Sequence, residues 1–404
     1  MRRPQRFICL LVATGLLSFA GIALSQNHPD KRSVTKVKDI IIYQDEQFYA
    51  AFPSVVLRES GELIVAFRRA PDRRVFGEGG SSHTDPNSYL VLVRSTDNGE
   101  SWTTRPELIL AHPFGGSQDP CMIQLNDQSI LCSSYGWARV ENRVKNKFPE
   151  SIRHGNFIFM GGYLVRSEDG GKTWGDLIVP PPVSPSVTEN VFGEPAPAYN
   201  RGAMVQDKKG RLYWAVAAQT QLEPRLTSTY LMTSDDGGLS WEYRCPIASD
   251  DKASFNETSL YITPKGDIVA FMRTADFGDH TVVARSTDGG KSFEPWVDSG
   301  FQGHPHFALR LPDDNVFLVY GYRHAPFGIR ARILNPECTD FATAEEIVLR
   351  DDGTKGDLGY PWATMTADGK ILVTYYFHDE TENRSEEHTS ELQSRRKLVC
   401  RLRP

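Results

Sequence analysis

The chain is predicted to be all-β, a six-bladed β-propeller with four-stranded antiparallel blades. Three observations carry that expectation. A turn motif recurs four times, as RSTDNGESW from Arg94, RSEDGGKTW from Arg166, TSDDGGLSW from Thr233 and RSTDGGKSF from Arg285. Six strand–turn–strand units follow one another at intervals of roughly 50 to 80 residues. Their apolar runs lack helical periodicity.

Taken in order, the elements begin with a basic MRRPQR, an apolar FICLLVATGLLSFAGIA and the small residues around Ala23-Leu24-Ser25. That order predicts a secretory signal peptide over 1–25; an uncleaved membrane anchor is the alternative, because the run approaches the length of a spanning helix. Residues 26–38 read as a linker, and 39–383 as the propeller. IIIY, Ile40–Tyr43, is expected to be the N-terminal strand that helps to close the ring. The six hairpins are FPSVVLRESGELIVAF, PCMIQLNDQSILCSSY, GAMVQDKKGRLYWAV, TSLYITPKGDIVAFM, HFALRLPDDNVFLVYG and WATMTADGKILVTYY, each centred on a turn with Gly or Asn/Asp. The first four are each completed by one of the recurring turns, which gives four strands per unit.

In those turns the Ser hydroxyl and Asp carboxylate can bond to backbone N–H groups of their own loop. Gly permits positive φ, and the aromatic packs back into the blade. Asp97, Asp169, Asp235 and Asp288 are therefore read as architectural. From Arg384 the sequence RSEEHTSELQS looks like the frame translation of a sequencing-library adapter. Arg384–Pro404, charged and without alternation, is read as an artefact that replaces the last strand.

With 404 residues, 40% of them hydrophobic and 24% charged, the chain can bury a large core and is neither disordered nor fibrous. A formal charge of −6 with no sustained Lys/Arg run argues against a nucleic-acid partner. Outside the signal and the tail, which hold Cys9 and Cys400, the cysteines are Cys121, Cys132, Cys245 and Cys338. Cys121 and Cys132 flank a hairpin turn at Asn126–Ser129, so either a cross-strand disulfide or two buried thiols fits. The absence of a CxxC spacing argues against zinc or redox chemistry.

The sharpest chemical signal is NETSLYITPKGDIVAFMR. Glu257 opens one strand of a hairpin and Arg273 closes its return strand sixteen positions on, so both charges stand at one open end. Strand ends at one mouth of a ring build a central pocket, although an ion pair at a blade edge gives the same pattern. Tyr360 opens the hairpin of the last unit. The first unit carries a long, Gly-rich rim loop, DRRVFGEGGSSHTDPNSYLVLV, which holds His83 and Asp85. Arginines, whose planar fork pairs two donors with two carboxylate oxygens, cluster at Arg68 and Arg69 and at Arg323, Arg330 and Arg332.

The four turns resemble the Asp boxes of the sialidase family, whose six-bladed propeller carries them on the face away from the active site. The resemblance runs from about Asp39 to Asn383. It implies a secreted exo-acting glycosidase that releases a terminal acidic sugar, sialic acid or similar, with retention. Tyr360 would be the nucleophile, Glu257 its base and Asp85 the acid/base, with His83 as substitute. A neutral phenol can approach an anomeric carbon that bears a carboxylate, where an Asp or Glu would be repelled; with an ordinary pKa near 10 it needs a base. Arg273 with Arg330 or Arg332 would bind the carboxylate.

One departure stands out. The family's Tyr/Phe-Arg-Ile-Pro run is YAAFPS here, so Ala51 occupies the place of the first triad arginine; Arg68 and Arg69, at the end of the return strand, are the candidates to replace it, and without either, sialic acid is a doubtful substrate. Asp119, in GGSQDPC, resembles a family position near the pocket. The resemblance implies a glycan or glycoconjugate partner, no metal or organic cofactor, and no membrane after signal cleavage. A hydrolase or lyase on uronic-acid glycans, or a non-catalytic glycan-binding propeller, are the alternatives.

Overall fold

A computed structural model describes residues 34–45, 47–77, 84–184, 186–378, 397–398 and 401–403. The expected signal peptide over 1–25 and the linker as far as 33 lie outside the described residues. Among the described residues the strands fall into six antiparallel sheets. The first runs β2 (Phe48–Leu57), β3 (Leu63–Pro71), β4 (Tyr89–Ser95), β5 (Glu107–Leu110). The second sets β7 (Cys121–Gln124) and the short β6 (Gly116–Ser117) against β8 (Ile130–Arg139), then β10 (Phe157–Ser167) and β9 (Arg153–His154). The third is β11 (Val205–Gln206), β12 (Leu212–Gln221), β13 (Leu226–Ser234), β14 (Glu242–Ala248). The fourth is β15 (Ser254–Ile262), β16 (Ile268–Ala275), β17 (His280–Ser286), β18 (Val297–Gln302). The fifth is β19 (His306–Arg310), β20 (Val316–Tyr322), β21 (Phe327–Leu334), β22 (Glu346–Gly353). In the last, β23 (Gly359–Met365) pairs with β24 (Ile371–Phe377), and β24 with β25 (Lys397–Leu398) and β26 (Arg401–Arg403); β1 (Thr35–Lys38) lies outside β26.

Neighbouring sheets touch through their first strands, β2 with β7, β11 with β15, β15 with β19, β19 with β23, and β23 with β2, and the second and third share the cluster of Leu125, Leu131 and Leu164 with Met204, Leu212 and Trp214. The series therefore closes on itself as an all-β propeller. The two strand faces explain why the sequence runs are apolar at nearly every position and not at every second one. In β16, Ile268, Ala270 and Met272 pack on Leu231 and Cys245 of the third sheet, whereas Val269 and Phe271 pack on Leu318 and Tyr320 of the fifth. Cys121 and Cys132 obey the same rule. Cys121 belongs to the cluster between the last and first sheets and Cys132 to the one between the first and second, so the two thiols face opposite ways and remain free.

The recurring turns build as their residue types dictate. In the first, Gly99 N donates to Ser95 Oγ at 2.8 Å, Ser95 Oγ to Asp97 Oδ1 at 2.7 Å and Ser101 N to Asp97 Oδ1 at 2.9 Å. Gly99 takes φ 78°, which a side chain rarely tolerates. In the third turn the residue that does this is Asp236, not Asp235: Asp236 binds Ser234 and Ser240, while Asp235 faces outward and pairs with Arg211. The doubled Asp in TSDDGG hides the register.

Two boundaries differ from expectation. Thr35–Lys38, assigned to the linker, is a strand, and Ile40–Tyr43 is not; Ile42 and Tyr43 are instead buried between the last and first sheets. The tail's Lys397–Leu398 and Arg401–Arg403 occupy the strand positions that the artefact reading left empty, because backbone pairing on β24 asks nothing of side-chain alternation. The rest of 384–404 lies outside the described residues.

Candidate active site

Three first strands slip register near their open ends, β2 between Ala51 and Ser54, β15 between Asn256 and Ser259, and β23 between Gly359 and Trp362. At each bulge a side-chain-bearing residue takes positive φ: Phe52 at 59°, Glu257 at 43° and Tyr360 at 51°. Bulges re-aim side chains, and left-handed backbone at such residues is strain that a packed fold has to hold. These positions correspond, each standing five residues before its strand ends, at Leu57, Ile262 and Met365. Counting five back from the ends of β7 and β11 reaches Asp119 and Arg201, and from the end of β19 it reaches Pro305, between His304 and His306. Of these, Phe52 packs against the Tyr360 ring, Arg201 lies over it and Glu257 bonds to its hydroxyl, so the positions gather at one end of the ring.

At the centre, Tyr360 donates its phenol to Glu257 Oε1 at 2.6 Å. Arg273 Nη1 donates to Glu257 Oε2 at 2.8 Å and reaches the Tyr360 hydroxyl at 3.4 Å. Tyr360 is buried, while Glu257 keeps 13% and Arg273 24% of their side chains open to solvent, so the group opens to the outside through the carboxylate and the guanidinium. Burial works to raise the Glu257 carboxyl, but Arg273 and the phenol hold it down at about 2. Burial first, and the Glu257 charge second, push the Tyr360 phenol well up. At rest the pair is a neutral phenol on an ionised carboxylate, which is the arrangement for handing the phenolic proton to Glu257.

Arginines surround the pair. Arg323, not Arg330 or Arg332, is the guanidinium from the fifth sheet that joins Arg273. Its Cζ lies 5.0 Å from the Tyr360 ring centre, and it donates to Leu358 O at 3.0 Å and the Tyr376 hydroxyl at 3.2 Å. Arg330 and Arg332 stand on β21, one strand further from the axis, and are used by the blade. Arg330 binds Pro326 O and Arg350 O, and Arg332 binds Ala344 O and the Tyr320 hydroxyl. Of the pair that follows Ala51, Arg69 turns away to Asp45 at 2.7 Å and Tyr89 at 2.7 Å. Arg68 is fully buried, over the Tyr49 and Phe52 rings and beside Asp119 and Asp85; burial lowers its pKa to about 10.

The expected acid takes another part. Asp85 is buried, but its Oδ2 accepts from Arg73 Nε at 2.8 Å and its Oδ1 from Asn87 N at 2.7 Å, so it fixes the foot of the rim loop. Its substitute, His83, lies outside the described residues. Asp119 comes to the site instead. Only 1% exposed, it accepts from the Tyr135 hydroxyl at 3.3 Å on Oδ2 and leaves Oδ1 without a partner. Burial, then Glu257, push its carboxyl up to about 7 against Arg201 and Arg68.

Sequence reasoning missed Arg201, His304 and His306. Arg201 lies over Tyr360 at 4.8 Å and Trp362 at 5.2 Å and donates to Tyr360 O at 3.0 Å. Burial holds His304 at about 2 and His306 at about 3, so both imidazoles are neutral. Counting five back from the strand ends finds Arg201 and falls between the two histidines, but it needs the strand ends that the structure supplies. The described residues hold no cluster of His, Cys, Asp and Glu suited to a metal ion.

Comparison with known proteins gives the same architecture. A BNR repeat-like domain matches residues 155–373. A Dyadobacter fermentans protein of unknown function is 54% identical over 92% of this chain and 99% of its own, with a TM-score of 0.85. The Hadza microbial sialidase Hz136 superposes at 0.57 with 17% identity, over 80% of this chain and 63% of its own. The intramolecular trans-sialidase from Ruminococcus gnavus, solved with oseltamivir carboxylate, superposes at 0.56 with 14% identity, over 90% and 96%. At such identities the sialidases share the fold. No curated protein matches the chain.

Proposed function

The chain belongs to the BNR repeat-like family, and from that premise we propose that it is an exported glycoside hydrolase on a six-bladed propeller, releasing a terminal acidic sugar with retention through Tyr360. The observation that carries this reading is the 2.6 Å hydrogen bond from the Tyr360 phenol to Glu257, with Arg273 bonded to the carboxylate and close to the hydroxyl. A binding propeller has no use for a strained Tyr and a strained Glu facing each other from two sheets.

In the proposed reaction the Tyr360 oxygen attacks the anomeric carbon while its proton passes to Glu257, and a glycosyl-tyrosine forms. Water then resolves it with the configuration retained. Arg273 and Arg323 supply the positive charge for the sugar carboxylate, and a buried Arg68 adds to the field from the first sheet. Ala51 in place of an arginine keeps uronic-acid glycans beside sialosides as the substrates to assay.

The test is covalent capture. Fluorinated glycosyl fluorides of sialic acid and of glucuronic acid slow the second step, so one of them is expected to leave a stable adduct, located on Tyr360 by peptide mass spectrometry. Tyr360→Phe should keep the fold, because only a hydroxyl is lost, and should take no label. Label on another residue, or turnover persisting in Tyr360→Phe, would remove the tyrosine mechanism.

A further inference from the structure

Tyr360 and Glu257 come from different sheets, so the 2.6 Å bond between them depends on what fixes one strand against the other. A segment that touches both belongs to neither. Asn200, Arg201 and Gly202 lead into β11 of the third sheet and contact the fourth sheet and the last. We propose that Arg201 is a positioning residue for the nucleophile, bracing Tyr360 against the strand of Glu257 and setting a positive charge beside its ring as the phenol gives up its proton. The proposal rests on the hydrolase reading above.

The neighbours of Arg201 are fastened to the residue after Glu257. Asn200 Nδ2 donates to Thr258 O at 2.8 Å, and Thr258 N donates to Asn200 Oδ1 at 3.3 Å. A Cβ on Gly202 would stand 2.0 Å from Thr258 O, so only glycine lets the two chains lie this close. Ala203 N then donates to Ser259 Oγ at 3.0 Å, and Leu260 N to Ala203 O at 3.0 Å. From this anchored segment Arg201 reaches to the other partner. Its Nη2 donates to Tyr360 O at 3.0 Å and reaches Pro53 O of the first sheet at 3.5 Å. Its Cζ lies 4.8 Å from the Tyr360 ring centre, beside that of Arg323 at 5.0 Å. The backbone it holds is the strained one, with Tyr360 at φ 51°.

The energetics of Arg201 point the same way. It is 1% exposed, its Nε and Nη1 have no hydrogen-bond partner, and Nη2 bonds to carbonyls, so none of its nitrogens bonds to a carboxylate. A buried cation in that state is costly, and an apolar side chain of similar volume is a common and more stable substitute. What the charge can act on is the phenol. Burial opposes a negative Tyr360 oxygen, and a guanidinium over the ring in the same dry interior counters that cost as the proton leaves. Asp119 also feels this charge, but an arginine kept only as its counter-ion would make no difference to the acidity of the phenol.

The experiment measures how fast the fluorinated glycosyl fluorides of sialic acid and of glucuronic acid label Tyr360, as a function of their concentration, in the wild type, Arg201→Met and Arg201→Lys. Arg201→Met should lower the labelling rate at saturation by about 10–100-fold and leave the half-saturating concentration within about twofold of wild type, because Arg201 acts through Tyr360 and not on the sugar. Arg201→Lys, which keeps the charge and a donor, should fall between the two. A ring-fluorinated tyrosine, whose phenol is more acidic, is then incorporated at position 360 in all three. It should narrow the gap between Arg201→Met and its Arg201 counterpart and change the Arg201→Lys gap less. Should Arg201→Met fail to fold, Arg201→Lys decides by itself: a lowered saturating rate that fluorination brings closer to wild type supports the role, and a wild-type rate overturns it. A loss confined to the half-saturating concentration, or a gap that fluorination leaves unchanged, would also overturn it. A wild type that takes label from neither donor would bring down the hydrolase reading itself, whereas a labelled wild type with unaffected Arg201 variants would remove the positioning role alone.

Discussion

Asp119 and Glu257 are two carboxyls in one field whose pKa values are driven apart, to about 7 and about 2, and the difference comes from direct bonds. Burial favours the neutral form of both. Glu257 receives Arg273 Nη1 at 2.8 Å and the Tyr360 phenol at 2.6 Å, which outweigh burial. Asp119 receives one 3.3 Å bond from Tyr135, and its neighbouring guanidiniums, Arg68 and Arg201, lie over aromatic rings. Stability should follow. A carboxyl raised from an ordinary value of 3.8 to about 7 binds more protons folded than unfolded between those limits, so its contribution is full at low pH and is lost as pH rises through about 7. Asp119→Asn, which cannot ionise, should melt above the wild type at pH 8, with the gap closing towards pH 4; a gap constant with pH would mean that Asp119 is ionised throughout. Much of this site could be read in advance, because Glu257, Arg273 and Tyr360 sit at strand ends that a hairpin pattern locates. The arginines show where such reading stops. Arg68 pairs across from Ala51 and Arg273 from Asn256, both beside a bulge on a second strand, and Arg323 follows the second strand of its own sheet. Strand order from the axis separates these from Arg330 and Arg332, and that order belongs to the assembled blade.

At the level of the element, the recurring turns fasten neighbouring blades. Trp102, at the end of the first turn, packs in the cluster between the last and first sheets, and Trp174 in that between the first and second. Trp241 and Phe293 repeat this between the second and third sheets and the third and fourth. Each aromatic thus ties its sheet to the preceding one, and the Asp holds the loop that aims it. The turns also lie at the far end from the site: Ser286 pairs with Ile268 at the start of β16, whereas Arg273 pairs with Thr281 near its finish. Asp236→Ala removes three turn hydrogen bonds, so it should cost about 1–3 kcal/mol, without altering kcat/KM. Asp235→Ala, which loses only a bridge to Arg211 on the surface, should shift the melt less. Urea melts of the two variants separate these outcomes, and a larger effect at Asp235 would reverse the register assigned to the turn. The fifth sheet lacks the motif, and Asn335 takes its place, with its Oδ1 accepting from Glu337 N at 3.1 Å and Thr339 N at 3.1 Å. Sequence spacing found the turns because their chemistry is local. It left the Cys121–Cys132 question open because the facing of a strand residue depends on which neighbour covers it.

For the whole molecule, the closure of the ring depends on pieces from both ends of the chain. β26 pairs with β1 through Thr35–Arg403 and Lys36–Leu402, and with β24 through Leu402–Ile371 and Arg401–Leu372. β24 in turn pairs with β23, the strand that carries Tyr360. A sheet edge left bare exposes unpaired N–H and C=O groups and loses a neighbour for the strand behind it. Removing residues 397–404 should thus lower the melting temperature, on the order of 2–4 °C for each kcal/mol lost in a domain of moderate size. Removing residues 34–38 should do the same, by way of β1. The decisive measurement is the double deletion. Because, among the described residues, β1 joins β24 by way of β26, the two losses share an interface, and the double deletion should cost less than the two single ones together. Strictly additive shifts would show that each end supports the ring independently. A replacement of 397–404 by an alternating apolar strand of about six to eight residues should raise the melting temperature above that of the unaltered chain, since two residues of β26 and two of β25 pair with β24's seven. An unchanged melt in that replacement would mean that Arg401–Arg403 already supplies all the closure the ring requires.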